Sequence, residues 1–200
     1  MDIAQRRLKV NLKPQIIITL TDHIVFAIER MQNNIELPNL VLPEIKTLYA
    51  SEYEIGLIGI GIIRRELNVV LPNDEAGYIA LHILNGIKKY DDQAVLETLQ
   101  LVNGCMEVIQ HSLSLYMDED SLDYIRLMTH LKFLAQRVFD KEVQNDMEND
   151  LELYDLMIRK YPDIYRCVEK IAEFIESSFS YELSEQEKWY LMIHIHKITS

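Results

Sequence analysis

Four of the six histidines in this 200-residue chain stand at matching places in two copies of one pattern. "LTDHIVFAIER" at 20–30 aligns with "LMTHLKFLAQR" at 127–137, so at a shift of 107 His23 matches His130, Phe26 matches Phe133 and Arg30 matches Arg137. "DEAGYIALHI" at 74–83 aligns with "QEKWYLMIHI" at 186–195, and at a shift of 112 Glu75, Tyr78 and His82 match Glu187, Tyr190 and His194. Random placement of an uncommon residue seldom gives such a register, so the chain reads as a tandem duplication. Neutral imidazole, with a reference pKa of about 6.5, can act as a base, a metal ligand or a nucleophile at physiological pH.

Three roles compete for these rings. A histidine on a mostly apolar helix is commonly a core or boundary residue with its two nitrogens satisfied. "HIH" at 194–196 suggests a metal site, but residues two apart on a helix point about 200° away from each other and cannot grip one ion. The third role is acceptance of a phosphoryl group, and repetition of four sites raises it. Residues seven apart on a helix lie about 20° apart around the axis and roughly 10 Å apart along it. His23 with Arg30, His130 with Arg137, Glu75 with His82 and Glu187 with His194 therefore form stripes, which would meet only where two helices cross. No phosphate-cradling glycine loop, zinc-protease helix or Cys–His pattern supports an enzyme, so no catalytic residue, cofactor or metal is assigned.

The elements that must carry these residues are helical. Gly and Pro number only six and five, and apolar residues make up 48%, which favours an all-α fold with a sizeable core. Ile24, Ala27 and Ile28 recur at helical spacing, as do Tyr78, Leu81 and Leu84 with His82 beside them. Ser184 followed by Glu187 predicts a capping box, and Asn73 or Asp74 could cap the helix carrying His82. We expect two successive bundles of about five helices each, 1–93 and 94–200, divided near the charged "KKYDDQ" at 88–93. The difference between the two shifts places about five extra residues in the second copy, most simply within "DKEVQNDMENDLE".

No apolar run approaches the roughly 18 to 20 residues of a membrane span, and the start of the chain has no uninterrupted secretory segment. Two cysteines, Cys105 and Cys167, predict reduced, buried thiols rather than a disulfide framework, so a soluble cytoplasmic protein is expected. The net charge is -12, with 10 basic and 12 acidic residues in 1–94 and 10 basic and 20 acidic in 95–200. Such a balance repels nucleic acid, and Arg6-Arg7-Lys9, Arg64-Arg65 and Lys88-Lys89 read as solvated helix faces.

"LTDHIVFAIER", "YASEYEIG", "LPNDEAGYIALHI", "YIRLMTHLKFLAQRV" and "LSEQEKWYLMIHIHKI" together resemble the two tandem PTS regulation domains of bacterial transcriptional antiterminators of the beta-glucoside operon type and of related activators. The resemblance covers essentially the whole chain. It implies all-helical domains that dimerise and are phosphorylated reversibly on histidine by the phosphotransferase system. His23 and His82 resemble the sites through which a sugar-specific enzyme II component inhibits the regulator, and His130 and His194 those through which the carrier HPr activates it. Asp22 also matches the motif, whereas Thr129 replaces it in the second copy. Arg30 or Arg137 could meet a bound phosphate, with Glu75 and Glu187 in support. His111 and His196 match no motif histidine and read as structural. The resemblance further implies a fragment, with RNA bound only through a domain preceding this one. A DNA-binding activator is the alternative output, and a non-catalytic helical-repeat scaffold is the rival class; the scaffold gives no reason for four histidines in register.

Overall fold

The structure is a computed structural model that describes residues 2–87, 92–141 and 151–200. Most of "KKYDDQ" and of the expected insertion in "DKEVQNDMENDLE" lies outside the described residues. Among those described, ten helices follow one another: α1 Asp2–Leu8, α2 Ile16–Gln32, α3 Leu42–Leu48, α4 Ala50–Leu67, α5 Asn73–Gly86, α6 Asp92–Leu113, α7 Leu122–Asp140, α8 Leu151–Lys160, α9 Pro162–Phe179 and α10 Glu185–Ile198. The fold is all-α, as composition and spacing predict. Backbone proximity divides the chain into two units, Met1–Glu97 and Thr98–Ser200.

The duplication is visible in the backbone. Helices α4 and α9 both have 18 residues and lie 112 positions apart, as do the 14-residue α5 and α10. Tyr49 opens α4 at φ -135°, ψ 43°, and its counterpart Tyr161 opens α9 at φ -129°, ψ 62°. Both long helices end on a residue in the left-handed region, Asn68 at φ 56° and Ser180 at φ 54°, where the reversal lets the next helix fold back. The matched tyrosines thus mark a repeated helix junction.

In the first unit α5 packs on α4, α2 and α3, and in the second α10 packs on α7 and α9. The α5 face turned inward is wider than Tyr78, Leu81 and Leu84: Ala76, Ile79, Ala80, Ile83 and Leu84 are buried, and Tyr78 and His82 lie at its edge, half-buried. The second unit buries Leu127, Met128, Leu131 and Leu134 of α7, Ile171 and Ile175 of α9 and Leu191 of α10. At Gly56 the α4 backbone comes so close to α5 that an added Cβ would stand 2.1 Å from the Ala76 carbonyl oxygen. Two backbones cannot part without unpacking the pair, so Gly56→Ala should destabilise the first unit by about 3 kcal/mol. Urea unfolding followed by circular dichroism tests this, and an unchanged midpoint would contradict the close approach.

Caps divide between confirmation and correction. Ser184 Oγ accepts from the Glu187 N–H at 3.3 Å, and the Ser184 N–H donates to Glu187 Oε2 at 3.0 Å, which completes the expected box. Neither Asn73 nor Asp74 caps α5: Pro72 occupies the cap, Asn73 is already helical, and Asp74 Oδ1 accepts from the Asn39 N–H at 2.8 Å. Proline presets the entering φ and brings no side-chain acceptor, so Asp74 can pin the preceding loop. Cys105 and Cys167 are free and buried, and burial pushes both thiols upward, Cys167 to about 11. No helix among the described residues is long and apolar enough to cross a membrane.

Candidate functional site

The stripes on α2 and α5 meet. Side chains on a helix lean over the turn that precedes them, so an antiparallel crossing lets residues seven apart on one helix face residues seven apart on the other. His23 lies against His82 with ring centroids 4.9 Å apart, and one and a half to two turns along Arg30 Nη2 donates to Glu75 Oε1 at 2.8 Å. Glu75 is only 3% exposed, and its Oε2 lies 2.9 Å from His23 Nε2. That contact is oblique to the ring N–H; both atoms are buried and have no hydrogen bond of good geometry. Burial alone would raise the Glu75 carboxyl, but His23 and Arg30 outweigh it and hold it below the usual carboxylate range. Burial, and then His23, lowers the His82 imidazole. Tyr78 closes the group, its ring 5.6 Å from that of His23 and its hydroxyl donating to the Pro38 carbonyl.

The second unit builds the same crossing from α7 and α10 with one difference. His130 and His194 are stacked at 4.6 Å, and Tyr190 lies 6.0 Å from His130. Arg137 Nε donates to Glu187 Oε1 at 3.2 Å. Here, however, the carboxylate also accepts from the Tyr181 hydroxyl and from Ser184 Oγ, and the pair His130–Glu187 is not formed. The counterparts of Tyr181 and Ser184 in the first unit are Val69 and Pro72, which offer no hydroxyl, so Glu75 is left to turn toward His23. His130 Nε2 is buried without a hydrogen-bond partner, and burial, then His194 and Arg137, push its imidazole down to about 3.

Every sequence-derived histidine pair is therefore brought together, and both arginines reach the matched carboxylates. Asp22 is exposed on α2, about 100° around the axis from His23, and Thr129 at the equivalent place turns its hydroxyl to the Ile125 carbonyl at 2.7 Å. His194 and His196 diverge as their spacing demands: the first stacks on His130, the second lies 4.1 Å from the Tyr161 ring. His111 Nδ1 is 2.8 Å from the carbonyl of Glu107, one turn back on its own helix. Tyr181 is the site residue that the repeat could not reveal, because it has no partner in the first copy.

A depressed histidine has a definite effect on stability. Between its ordinary value of 6.5 and about 3, the unfolded chain binds the His130 proton and the folded chain does not. Stability is thus complete above 6.5 and falls with pH by about 1.4 kcal/mol per unit through that window. His82 and His194, also lowered, act with the same sign. Denaturant unfolding of the chain should show weakening between pH 7 and 5.5, and His130→Asn should flatten the slope for the second unit. An unchanged slope in that variant would contradict neutral burial of the ring.

Two copies of one all-helical domain, each with a crossed His–His and Arg–Glu quartet, define the class of molecule. Comparison with known proteins gives the family: residues 1–86 and again 103–198 match the PRD domain. The chain is 36% identical over 198 residues to a beta-glucoside operon antiterminator of Dickeya chrysanthemi, covering 99% of this chain and 69% of that protein. It is 35% identical to the transcription antiterminator LicT of Bacillus subtilis, over 98% and 70%, and 31% identical to Protein GlcT of Staphylococcus aureus, over 97% and 67%. The chain belongs to the PRD-domain family and carries the domain twice. The first two of these relatives are named as regulators of transcription rather than as enzymes.

Proposed function

We propose that this chain is the phosphorylation-controlled regulatory module of a bacterial transcriptional antiterminator. In this reading a sugar-specific enzyme II component of the phosphotransferase system phosphorylates His23 and His82, and HPr phosphorylates His130 and His194. The observation that carries it is the pairing of two imidazoles, 4.9 Å apart in one unit and 4.6 Å apart in the other, at the same helix crossing. A ring nitrogen's lone pair attacks phosphorus, and the donor P–N bond breaks with its electron pair returning to the donor ring. Each ring keeps the hydrogen on its other nitrogen. Since one P–N bond replaces another, the step is nearly balanced and reverses readily; the chain is an acceptor and the donor supplies the driving force.

The output is a change in pairing with a second copy of this chain. Beside each histidine pair runs an exposed apolar ridge: Ile18, Val25 and Phe26 on α2, and Leu122, Ile125 and Phe133 on α7. Two of its members recur at equivalent positions, Ile18 as Ile125 and Phe26 as Phe133, with Phe26 59% and Phe133 54% exposed three residues after their histidines. A contiguous apolar ridge on both copies of a repeat suits a self-complementary interface. Two dianionic phosphates facing each other at about 8 Å across such a seam would repel by roughly 2 kcal/mol with water-like screening, a shift of about thirtyfold in a dimer equilibrium. Cations at the seam would reverse the sign, so the two units can respond oppositely.

The test combines labelling with a mass measurement. The chain is incubated with phosphoenolpyruvate, the general phosphotransferase enzyme and HPr, with and without an enzyme II component, and its sedimentation is compared before and after. Acid-labile, alkali-stable phosphate on the four histidines and a changed dimer fraction are expected. A chain that takes up no phosphate, or takes it up with sedimentation unchanged at all concentrations, would overturn the proposal in its first or second half.

A further inference from the structure

Donor and cationic side chains stand about one turn beyond each histidine pair, on the side away from Glu75 and Glu187. In the first unit they line a hollow of about 210 Å³ between the start of α2 and the end of α5, formed by Lys13, Gln15, Thr19, His82 and Asn85 among others. Thr19 stands four residues before His23, and Asn85 stands three after His82, so both flank the rings along their own helices. The repeat carries these positions into the second unit at the same two shifts, where Thr19 becomes Arg126 and Asn85 becomes Lys197. Arg126 is four residues before His130 and Lys197 three after His194, the spacings that bring side chains together on one helix face.

The surroundings of His194 agree with that placement. Burial, then Lys197 and Arg126, lower its imidazole, with Asp123 acting the other way, and His130 is the remaining titratable group against it. Arg126 Nη1 contacts Asp123 at 3.2 Å in an exposed pair of the kind that contributes little and exchanges easily. Arg30 and Arg137, which the sequence offered as phosphate partners, are instead engaged by Glu75 and Glu187. A phosphoryl group arriving beside those carboxylates would meet negative charge, whereas on the opposite side it meets donors in the first unit and, in the second, two cations of which Arg126 must exchange Asp123 for it.

We propose that Lys13, Thr19 and Asn85 in the first unit, and Arg126 and Lys197 in the second, form seats that receive the phosphoryl group once a histidine of the adjoining pair carries it. This rests on the phosphoryl-acceptor reading given above and adds no covalent step to it. The seats differ in charge: Lys13 with two neutral donors in the first unit, and Arg126 and Lys197 in the second, where Asp120 stands at the place of Lys13 and Asp123 contacts Arg126. Charge-assisted contacts to a dianion are stronger than neutral ones, so in the second unit the hold on the phosphate depends on Arg126 and Lys197.

The experiment compares the chain with an Arg126→Gln, Lys197→Gln variant. Phosphate on the second unit at steady state should fall by about tenfold, while the first unit, labelled by the small chemical donor, serves as the internal control. The charge-conserving Arg126→Lys should restore most of the label. In the unphosphorylated variant the His194 ring, followed by NMR, should titrate at higher pH than in the parent chain. HPr is one donor, and phosphoramidate, a small chemical donor, is the other. A deficit with both donors supports the seat; a deficit with HPr alone assigns the cations to donor docking and overturns it. Equal labelling and equal loss in parent and variant overturn the seat but leave the acceptor reading intact, and a parent chain that no donor labels overturns both.

Discussion

With His130 and His194 both replaced by alanine, the second unit is expected to take no phosphate from HPr, while the first unit remains a substrate for its own donor. The two rings are each other's nearest aromatic neighbours at 4.6 Å, so a single replacement leaves a second imidazole at the same surface, and only the double variant removes the acceptor. The fold should survive. His130 Nε2 is buried without a partner, so alanine removes an unsatisfied polar atom along with the ring's packing, and the two contributions oppose each other. His196 against Tyr161 and His111 beside the Glu107 carbonyl remain in place as built-in controls for promiscuous transfer. Proteolysis in alkali followed by mass measurement of the fragments locates the label. Full labelling of the second unit in the double variant would refute the assignment of these histidines; circular dichroism matching the parent excludes a loss caused by unfolding.

How far the sequence reaches is clearest at residues where the two copies agree or part. The helices, their number and the convergence of His with His were legible because spacing of 3.6 and a duplicated register constrain the same residues twice. Tyr49 and Tyr161 illustrate this: matched in sequence, they hold the same unusual backbone at the same junction. Burial was less legible. Phe26 and Phe133 are matched between the copies and both are exposed, which the match does not reveal, because hydrophobicity alone does not distinguish a face turned to the interior from one turned outward. Hidden entirely was which contact each matched carboxylate would make. Glu75 and Glu187 occupy equivalent positions, but Pro72 stands where Ser184 does and Val69 where Tyr181 does, so two hydroxyls decide whether a histidine gains a carboxylate neighbour. Alignment of the copies shows those substitutions without saying that they lie within reach of the acid.

The same difference makes Glu187 the most sensitive side chain of the second unit. It is 0% exposed, and its two oxygens receive Arg137 Nε at 3.2 Å, the Tyr181 hydroxyl at 3.2 and 3.3 Å, and the N–H and Oγ of Ser184 at 3.0 and 3.1 Å. Burial, and then Glu187, pushes the Tyr181 phenol up to about 12, so it stays a neutral donor across the physiological range. Glu187→Ala would strand a guanidinium whose side chain is only 14% exposed, strip a buried phenol of its acceptor and open the start of α10. Loss of one partner from a buried ion pair costs about 3–5 kcal/mol and loss of a cap about 1 more. That is a large part of what holds a domain of this size together. The second unit should therefore unfold or become molten, while the first keeps its stability. Hydrogen exchange resolved by segment would show protection lost in α7, α9 and α10 and retained in α2, α4 and α5. Glu187→Gln keeps the acceptor oxygen for Tyr181 or Ser184 and gives up the charge opposite Arg137, so it should fall between the parent and the alanine variant. Glu75→Ala should cost the first unit less, since fewer donors depend on that carboxylate and Arg30 is more open to water, at 22% exposed. Equal losses at the two positions would mean that the hydroxyls of Tyr181 and Ser184 contribute nothing to the second site.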